Sequence, residues 1–230
     1  FEFKNLVVLL IGIVFLTGIA SMALAEYPER PITINVPWSP GGGTDRTARA
    51  LAVGLEKELG VQVGVINRTG GGGVVGHSAT ATAKPNGYTL GMITIEITMM
   101  HWLKLTELDY KNYEPVSLLI NNPAGISVKA DGPWKDYKAL MAHIEANPGK
   151  LTASGTAAGG VWDLARLGWI TGAGLDANAV RWVPSTGASA ALAELAAGGV
   201  DIVTCSPVEA LPLVQAGKAR SLAVMMDNRL

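Results

Sequence analysis

Two glycine-dense segments hold the residue types best suited to gripping an anion. They are Pro37-Trp38-Ser39-Pro40-Gly41-Gly42-Gly43-Thr44-Asp45 and Asn67-Arg68-Thr69-Gly70-Gly71-Gly72-Gly73. Glycine lets the backbone approach a ligand closely and leaves N–H groups open to donate. Each segment follows a short apolar run, Ile32 to Val36 and Val61 to Ile66, and leads into an Ala-rich stretch that reads as a helix. A strand, a glycine loop and a helix in that order aim free N–H groups and the positive end of the helix dipole at one spot. Two such units, about 30 residues apart in a βαβ rhythm, point to one shared pocket.

The other chemistry-bearing patterns are weaker. Gly71-x-Gly73-x-x-Gly76, with Glu96 some distance beyond, satisfies the form of the dinucleotide fingerprint, an acid about 20 residues on included. It sits in the second βα unit instead of opening the first, which weighs against NAD. His77, His101 and His143 stand far apart with no metal-ligand spacing, and each reads as structural or surface. Gly-x-Ser-x-Gly and Gly-x-x-x-x-Gly-Lys are absent. No catalytic residue, metal or cofactor is assigned. Asp45 and Arg49 are spaced for a helix-face ion pair, a role that competes with ligand contact. Trp38 lies within a glycine loop, where its ring could stack over a ligand's apolar body.

In the second half, Ser154-Gly155-Thr156 follows an apolar run and precedes a helical run from Val161, and Pro184-Ser185-Thr186-Gly187 does the same before Ala188. Two readings stand side by side. These are ordinary N-caps, or they form the opposite wall of a cleft and donate O–H and N–H groups to a ligand. Asp201, which opens the next apolar run, either accepts from a ligand hydroxyl or orients a loop.

The bulk properties limit the partners. The N-terminus reads as a secretory targeting segment. Lys4 supplies its charge, Leu6 to Ile19 its apolar stretch, and Ala23-Leu24-Ala25 a cleavage signature, with the cut expected after Ala25. That segment, residues 1–25, holds one acid, Glu2, and one base, Lys4, so the formal net charge of −1 survives its removal. A near-neutral chain lacks the basic excess that nucleic-acid or anionic-membrane binding needs. The single Cys205 forms no internal disulfide and reads as a buried, inert thiol.

Apolar runs bounded by turn residues recur at 32–36, 61–66, 88–95, 115–120, 125–128, 151–154, 179–183, 200–204 and 221–226. Stretches of helical period lie between them. Thr44 to Leu59 is the clearest, with Thr44 as the expected N-cap and Gly60 as its stop. Others run over 136–147, 188–197 and 207–217, and onward from Val161. Such alternation builds a mostly parallel sheet covered on both faces. The stretch Asp109–Asn122 breaks the rhythm and reads as a crossing between domains. The expected layout is a first α/β domain over 26–120, a second over 121–220, and a return to the first over 221–230. The chain opens on Phe1 and stops after a strand-like run, so it reads as a fragment at both ends.

Several ordered motifs resemble the periplasmic substrate-binding proteins of tripartite tricarboxylate transporters, the Bug family. They include Tyr27-Pro28-x-x-Pro31-Ile32, the two glycine loops with Ala48-Arg49, and Lys84-Pro85-Asn86-Gly87-Tyr88-Thr89-Leu90. Asn147-Pro148-Gly149-Lys150-Leu151, Ala197-Gly198-Gly199-Val200-Asp201 and Ala216-Gly217-Lys218-x-Arg220-x-Leu222-Ala223-Val224 continue the match to about residue 226. The resemblance implies a two-domain Venus-flytrap (type II) receptor, truncated here at its C-terminus and catalysing nothing. It would be monomeric, hold an organic carboxylate (di-, tri- or aromatic) between its domains, and hand it to the large and small multi-span subunits of a membrane transporter. Ligand contacts carried over from the family fall on Ser39, Gly41, Gly42, Gly43, Thr44 and Asp45, and on Gly70, Gly71, Gly72 and Gly73. On the second domain they fall on Ser154, Gly155, Thr156, Ser185, Thr186 and Asp201; Trp38 joins them from the loop reading. Gly42→Val is expected to block backbone approach and abolish binding. Two departures stand out: Pro184-Ser185-Thr186-Gly187 replaces the family's aromatic and Lys-Gly turn, and Trp162-Asp163 stands where a His is common. The alternatives are a secreted α/β enzyme acting on a small anion and a dinucleotide-binding domain.

Overall fold

The computed structural model describes residues 27–227; the targeting segment and its cleavage site lie outside them. The chain folds into two α/β lobes, each on its own sheet. In the first, β1 (Ile32–Val36) lies between β2 (Val63–Asn67) and β3 (Thr89–Gly91), all parallel. Alternation along β1 sends Ile32, Ile34 and Val36 to one face, where they pack with Ala48 and Ala52 of α1 (Gly43–Leu59). Asn35 points to the other face, where α2 (Val74–Ala81) offers Thr80 as its hydrogen-bond partner. A left-handed Gly60 ends α1 as expected, at φ 69°.

The second lobe is a five-stranded sheet of β4 (Gly125–Lys129), β5 (Leu151–Ser154), β6 (Val180–Trp182), β7 (Ile202–Cys205) and β8 (Ala219–Val224), in the order β6-β5-β7-β4-β8. β5, β6 and β7 are parallel, whereas β4 runs antiparallel to both of its neighbours. Helices cover both faces, which is why β7 is buried throughout. Ile202 joins a core with α3 (Tyr137–Ala146) and α4 (Val161–Gly172), while Val203 and Cys205 face α5 (Ala188–Ala197) and α6 (Pro207–Gln215).

Three sequence expectations are revised. The apolar run 115–120 forms no strand: it has no ladder partner among the described residues, and Val116 and Leu118 are more than four-fifths exposed. The run 88–95 contracts to the short β3, followed by a 3₁₀ turn at Ile95–Thr98. Residues 219–224, expected in part as the return crossing, are the edge strand of the second sheet. Met225 N–H still bonds Ala124 O at 2.8 Å, so the second lobe extends through that residue. β4 enters and β8 leaves at the same end of the sheet as the C-termini of β5 and β7.

Candidate ligand-binding cleft

The first glycine loop is built by the start of α1. Its N-cap is Gly42 with extended backbone, and the helix begins at Gly43. The expected cap, Thr44, is therefore already the second helical residue. Asp45 is 2% exposed and braces the loop from inside. Its carboxylate accepts from Gly41 N–H, from the Arg49 guanidinium at two positions and from Asn67 Nδ2, all at 2.8–3.0 Å. Burial pushes its pKa up, but the hydrogen bonds from Arg49, Gly41 and Asn67 and the charge of Arg49 outweigh it and hold the carboxyl below its usual range. All these bonds are internal, so Asp45 couples the first loop to the strand leading into the second.

The second loop winds through four consecutive glycines with φ of 123°, 58°, 66° and 95°, a path that L side chains disfavour. It is pinned from below by His77, which is fully buried. His77 Nδ1 lies 2.7 Å from Gly73 O, and Nε2 accepts Thr94 N–H at 3.1 Å. Burial lowers the imidazole pKa and keeps the ring neutral, with Nδ1 as its donor. Trp38 is 7% exposed and packs beside Gly73, with Nε1 donating to Thr94 Oγ1 at 3.2 Å. It forms the floor between the two loops, and its face is not open to the cleft.

On the second lobe, the loop after β5 presses against its surroundings. A Cβ on Gly155 would collide with Thr204 O and stand 2.7 Å from Trp162 Cβ. Ser154 Oγ is spent on Val183 O at 2.7 Å. Ser185 N–H bonds Thr156 O, which ties the two second-lobe segments together. Thr156 is 3% exposed and Ser206, just after β7, is 1% exposed, and neither hydroxyl has a partner. Unpaired buried hydroxyls are uncommon and mark a place for a missing hydrogen-bond partner.

The two lobes meet at these loops. Ser39 N–H donates to Thr186 O at 3.3 Å, Ser39 Oγ lies 3.0 Å from Ser189 Oγ, and Ser189 Oγ donates to Pro40 O at 2.9 Å. A Cβ on Gly72 would be 3.5 Å from Ala157 Cβ. The sequence-derived residues of both glycine loops, the 154–156 loop and the 185–186 turn thus come to one face between the lobes. Asp201 does not. It sits at the opposite end of β7, roughly 10 Å of strand away, where its carboxylate accepts Thr152 N–H at 2.8 Å and Thr152 Oγ1 at 2.9 Å. Within the first loop Gly43 is more crowded than Gly42. A Cβ on Gly43 would be 3.0 Å from Glu209 Oε1, whereas one on Gly42 meets only ordinary contacts.

Two cleft residues escaped sequence reading. Glu209 of α6 accepts Gly43 N–H at 2.9 Å, and Glu96 accepts Val161 N–H at 3.2 Å. The pattern Ser206-Pro207-x-Glu209 signals a helix start, and Glu209 indeed reaches back to Ser206 N–H at 3.0 Å. Its second contact, across the cleft, has no local signature. Glu96, the acid of the formal dinucleotide pattern, has one oxygen on α4 and the other accepting from Thr94 Oγ1 at 2.6 Å. Among the described residues, no group of three or more His, Cys, Asp or Glu is placed to hold a metal.

Residues 47–230 match the model of the tripartite tricarboxylate transporter family receptor. The chain belongs to this family. Among curated relatives it is similar to Protein BugT of Bordetella pertussis, 35% identical over 233 residues, covering 95% of this chain and 68% of BugT. The solved structure of the periplasmic binding protein BugD superposes with a TM-score of 0.81 at 27% identity, over 88% of this chain and 68% of that one. The structure of MatC from Rhodopseudomonas palustris with bound malate superposes with a TM-score of 0.75 at 26% identity, over 88% of this chain and 69% of that one. The chain thus spans about two thirds of the length of these relatives, and its two sheets with their helices form the two-lobed periplasmic-binding-protein fold that the resemblance implied.

Proposed function

We propose that this protein is a periplasmic solute receptor that captures an organic carboxylate between its lobes and presents it to a tripartite membrane transporter. The observation that carries this reading is the convergence of four glycine- and hydroxyl-bearing segments on the inter-lobe face: 39–43, 70–73, 155–160 and 185–189. The unpartnered Thr156 hydroxyl stands among them. Backbone N–H groups at helix starts hold an anion without an obligatory Arg or Lys, in keeping with the near-neutral charge. Malate bound to a structurally similar relative supports a carboxylate as the ligand class. The targeting segment and the family support the periplasm as its location.

The mechanism is closure. A ligand that touches both walls gains contacts only when the lobes come together, so it shifts the population toward the closed form. The transporter's large and small multi-span subunits then receive the closed, loaded receptor. No cofactor, covalent step or oligomer is part of this scheme.

A thermal-shift and calorimetric screen of the full chain against di-, tri- and aromatic carboxylates tests the reading. A ligand at one hundred times its Kd is expected to stabilise the fold by about 2.7 kcal/mol. Silence toward every carboxylate, with a clear response to NAD, overturns it.

A further inference from the structure

Glu96 and Glu209 cross the boundary between the lobes in opposite directions. Glu209, on α6 of the second lobe, accepts Gly43 N–H at the start of α1 at 2.9 Å, and Glu96 of the first lobe accepts Val161 N–H at the start of α4 at 3.2 Å. Each keeps its other oxygen within its own lobe. Glu209 Oε2 accepts Ser206 N–H at 3.0 Å, and Glu96 Oε2 accepts from Thr94 Oγ1 at 2.6 Å. Both carboxylates are thus anchored in one lobe and seated on a helix N-terminus of the other, where the helix dipole favours a negative charge. The fit at α1 is close, because a Cβ on Gly43 would stand 3.0 Å from Glu209 Oε1 and 3.1 Å from its Cγ. Arg46, also on α1, donates its guanidinium to Val208 O of α6 at 3.0 Å and adds to the same contact.

We infer that Glu96 and Glu209 are a pair of reciprocal latches that hold the two lobes together and set how readily they part. This deepens the closure reading above and rests on it for what the opening serves. A cap made within one lobe survives any movement between lobes, whereas these two must break when the lobes separate. On separation each glutamate loses one N–H partner, keeps the bond inside its own lobe and regains water, so release needs no local unfolding. Neither forms an ion pair among the described residues, so no side-chain cation has to be shed either. The joined arrangement is also limited from within. Burial pushes the Glu209 carboxyl above its usual range and the charge of Glu96 adds to that push, while the N–H groups of Gly43 and Ser206 and the charge of Arg46 pull it down. Opposed effects of this kind make a contact that holds and still releases.

Pulsed electron paramagnetic resonance on the full chain tests the inference. Spin labels at Lys84→Cys on the first lobe and Glu145→Cys on the second, both exposed, report the distance between the lobes, and the buried Cys205 stays out of reach of the label. With both glutamates present, the joined distance is expected to dominate. Glu96→Ala and Glu209→Ala are each expected to shift the ratio of joined to separated molecules about fivefold or more toward separation, and malate is expected to draw it back. Gly43→Ala, which crowds Glu209 without removing it, is expected to move the ratio the same way. Glu56→Ala is the control. It takes a carboxylate from Val63 N–H at 2.9 Å within the first lobe, so it is expected to lower the melting temperature and leave the distances unchanged. A wild type already separated, or distances unmoved in both glutamate variants, overturns the inference and leaves the receptor reading intact. Failure of malate and every other carboxylate to move the distance or the melting temperature overturns the receptor reading, while the shift between wild type and variants still decides the latches.

Discussion

At the scale of single residues, the cleft is organised by groups that never need to touch a ligand. Asp45 spends its carboxylate on Gly41, Arg49 and Asn67, and His77 spends both ring nitrogens on Gly73 and Thr94. Each holds a flexible glycine loop in one conformation. His77 leaves a signature in the pH dependence of stability. Burial holds its pKa below the ordinary 6.5, so the folded protein resists a proton that the unfolded chain accepts. The neutral ring therefore contributes its full stability above pH 6.5, and the contribution falls as the pH drops below that value toward the depressed folded pKa. Melting temperature measured from pH 8 to pH 5 is expected to decline along that course, and His77→Gln is expected to flatten the decline. An unchanged profile in the variant would mean that another group carries it.

At the scale of elements, the helix starts decide where donors point. Thr44 looks like an N-cap because its hydroxyl suits the role, yet Gly42 takes it, and the first helical N–H, that of Gly43, is capped by Glu209 of the other lobe instead of by a local hydroxyl. The loop after β5 is held as tightly. Gly155 has Thr204, Trp162 and Trp182 against the position of a Cβ. Gly155→Ala is expected to cost on the order of 1–3 kcal/mol through overpacking and to weaken ligand binding by displacing Thr156. Chemical denaturation and calorimetry on the same sample would check both effects. An unaltered affinity would remove this loop from the site. Within the second lobe, the single-residue alternation of Ile202 and Val203 feeds two separate cores, so neither face of β7 is exposed, and the one polar side chain, Thr204, gives its hydroxyl to Trp162 O at 2.7 Å.

At the scale of the whole molecule, a few polar bonds join the two lobes, and the proposed closure draws on them. Ser39 supplies two of them, its N–H to Thr186 O and its hydroxyl to Ser189. Ser39→Ala removes only the hydroxyl contact. With a net hydrogen bond contributing about 0.5–1.5 kcal/mol, it is expected to weaken affinity about two- to tenfold by favouring the open form. Calorimetry reads this directly, and a wild-type Kd in the variant would take that contact out of the closing set. β4 begins and β8 ends at the edge of the second sheet where β5 and β7 end, so the chain enters the second lobe beside the inter-lobe face.

Much of this was legible from residue order alone. Strand and helix alternation, the glycine loops and the caps at Gly60 and Gly198 depend on local backbone preference and on period, and both are written along the chain. So was the facing of two loop sets, once Ser154 to Thr156 and Ser185 to Thr186 were seen to follow strands. Other features were settled only by tertiary packing. The run 115–120 has the composition of a strand but no neighbour to pair with, and pairing is a property of the neighbour. Asp201 has the right chemistry at the wrong end of β7, since parallel register sends its carboxylate to Thr152. Glu96 and Glu209 acquire their roles from helix N-termini that lie 65 and 166 residues away in sequence. Hydrogen-bond partners at such separations leave no local trace, because only the fold brings a carboxylate of one lobe to the dipole of the other.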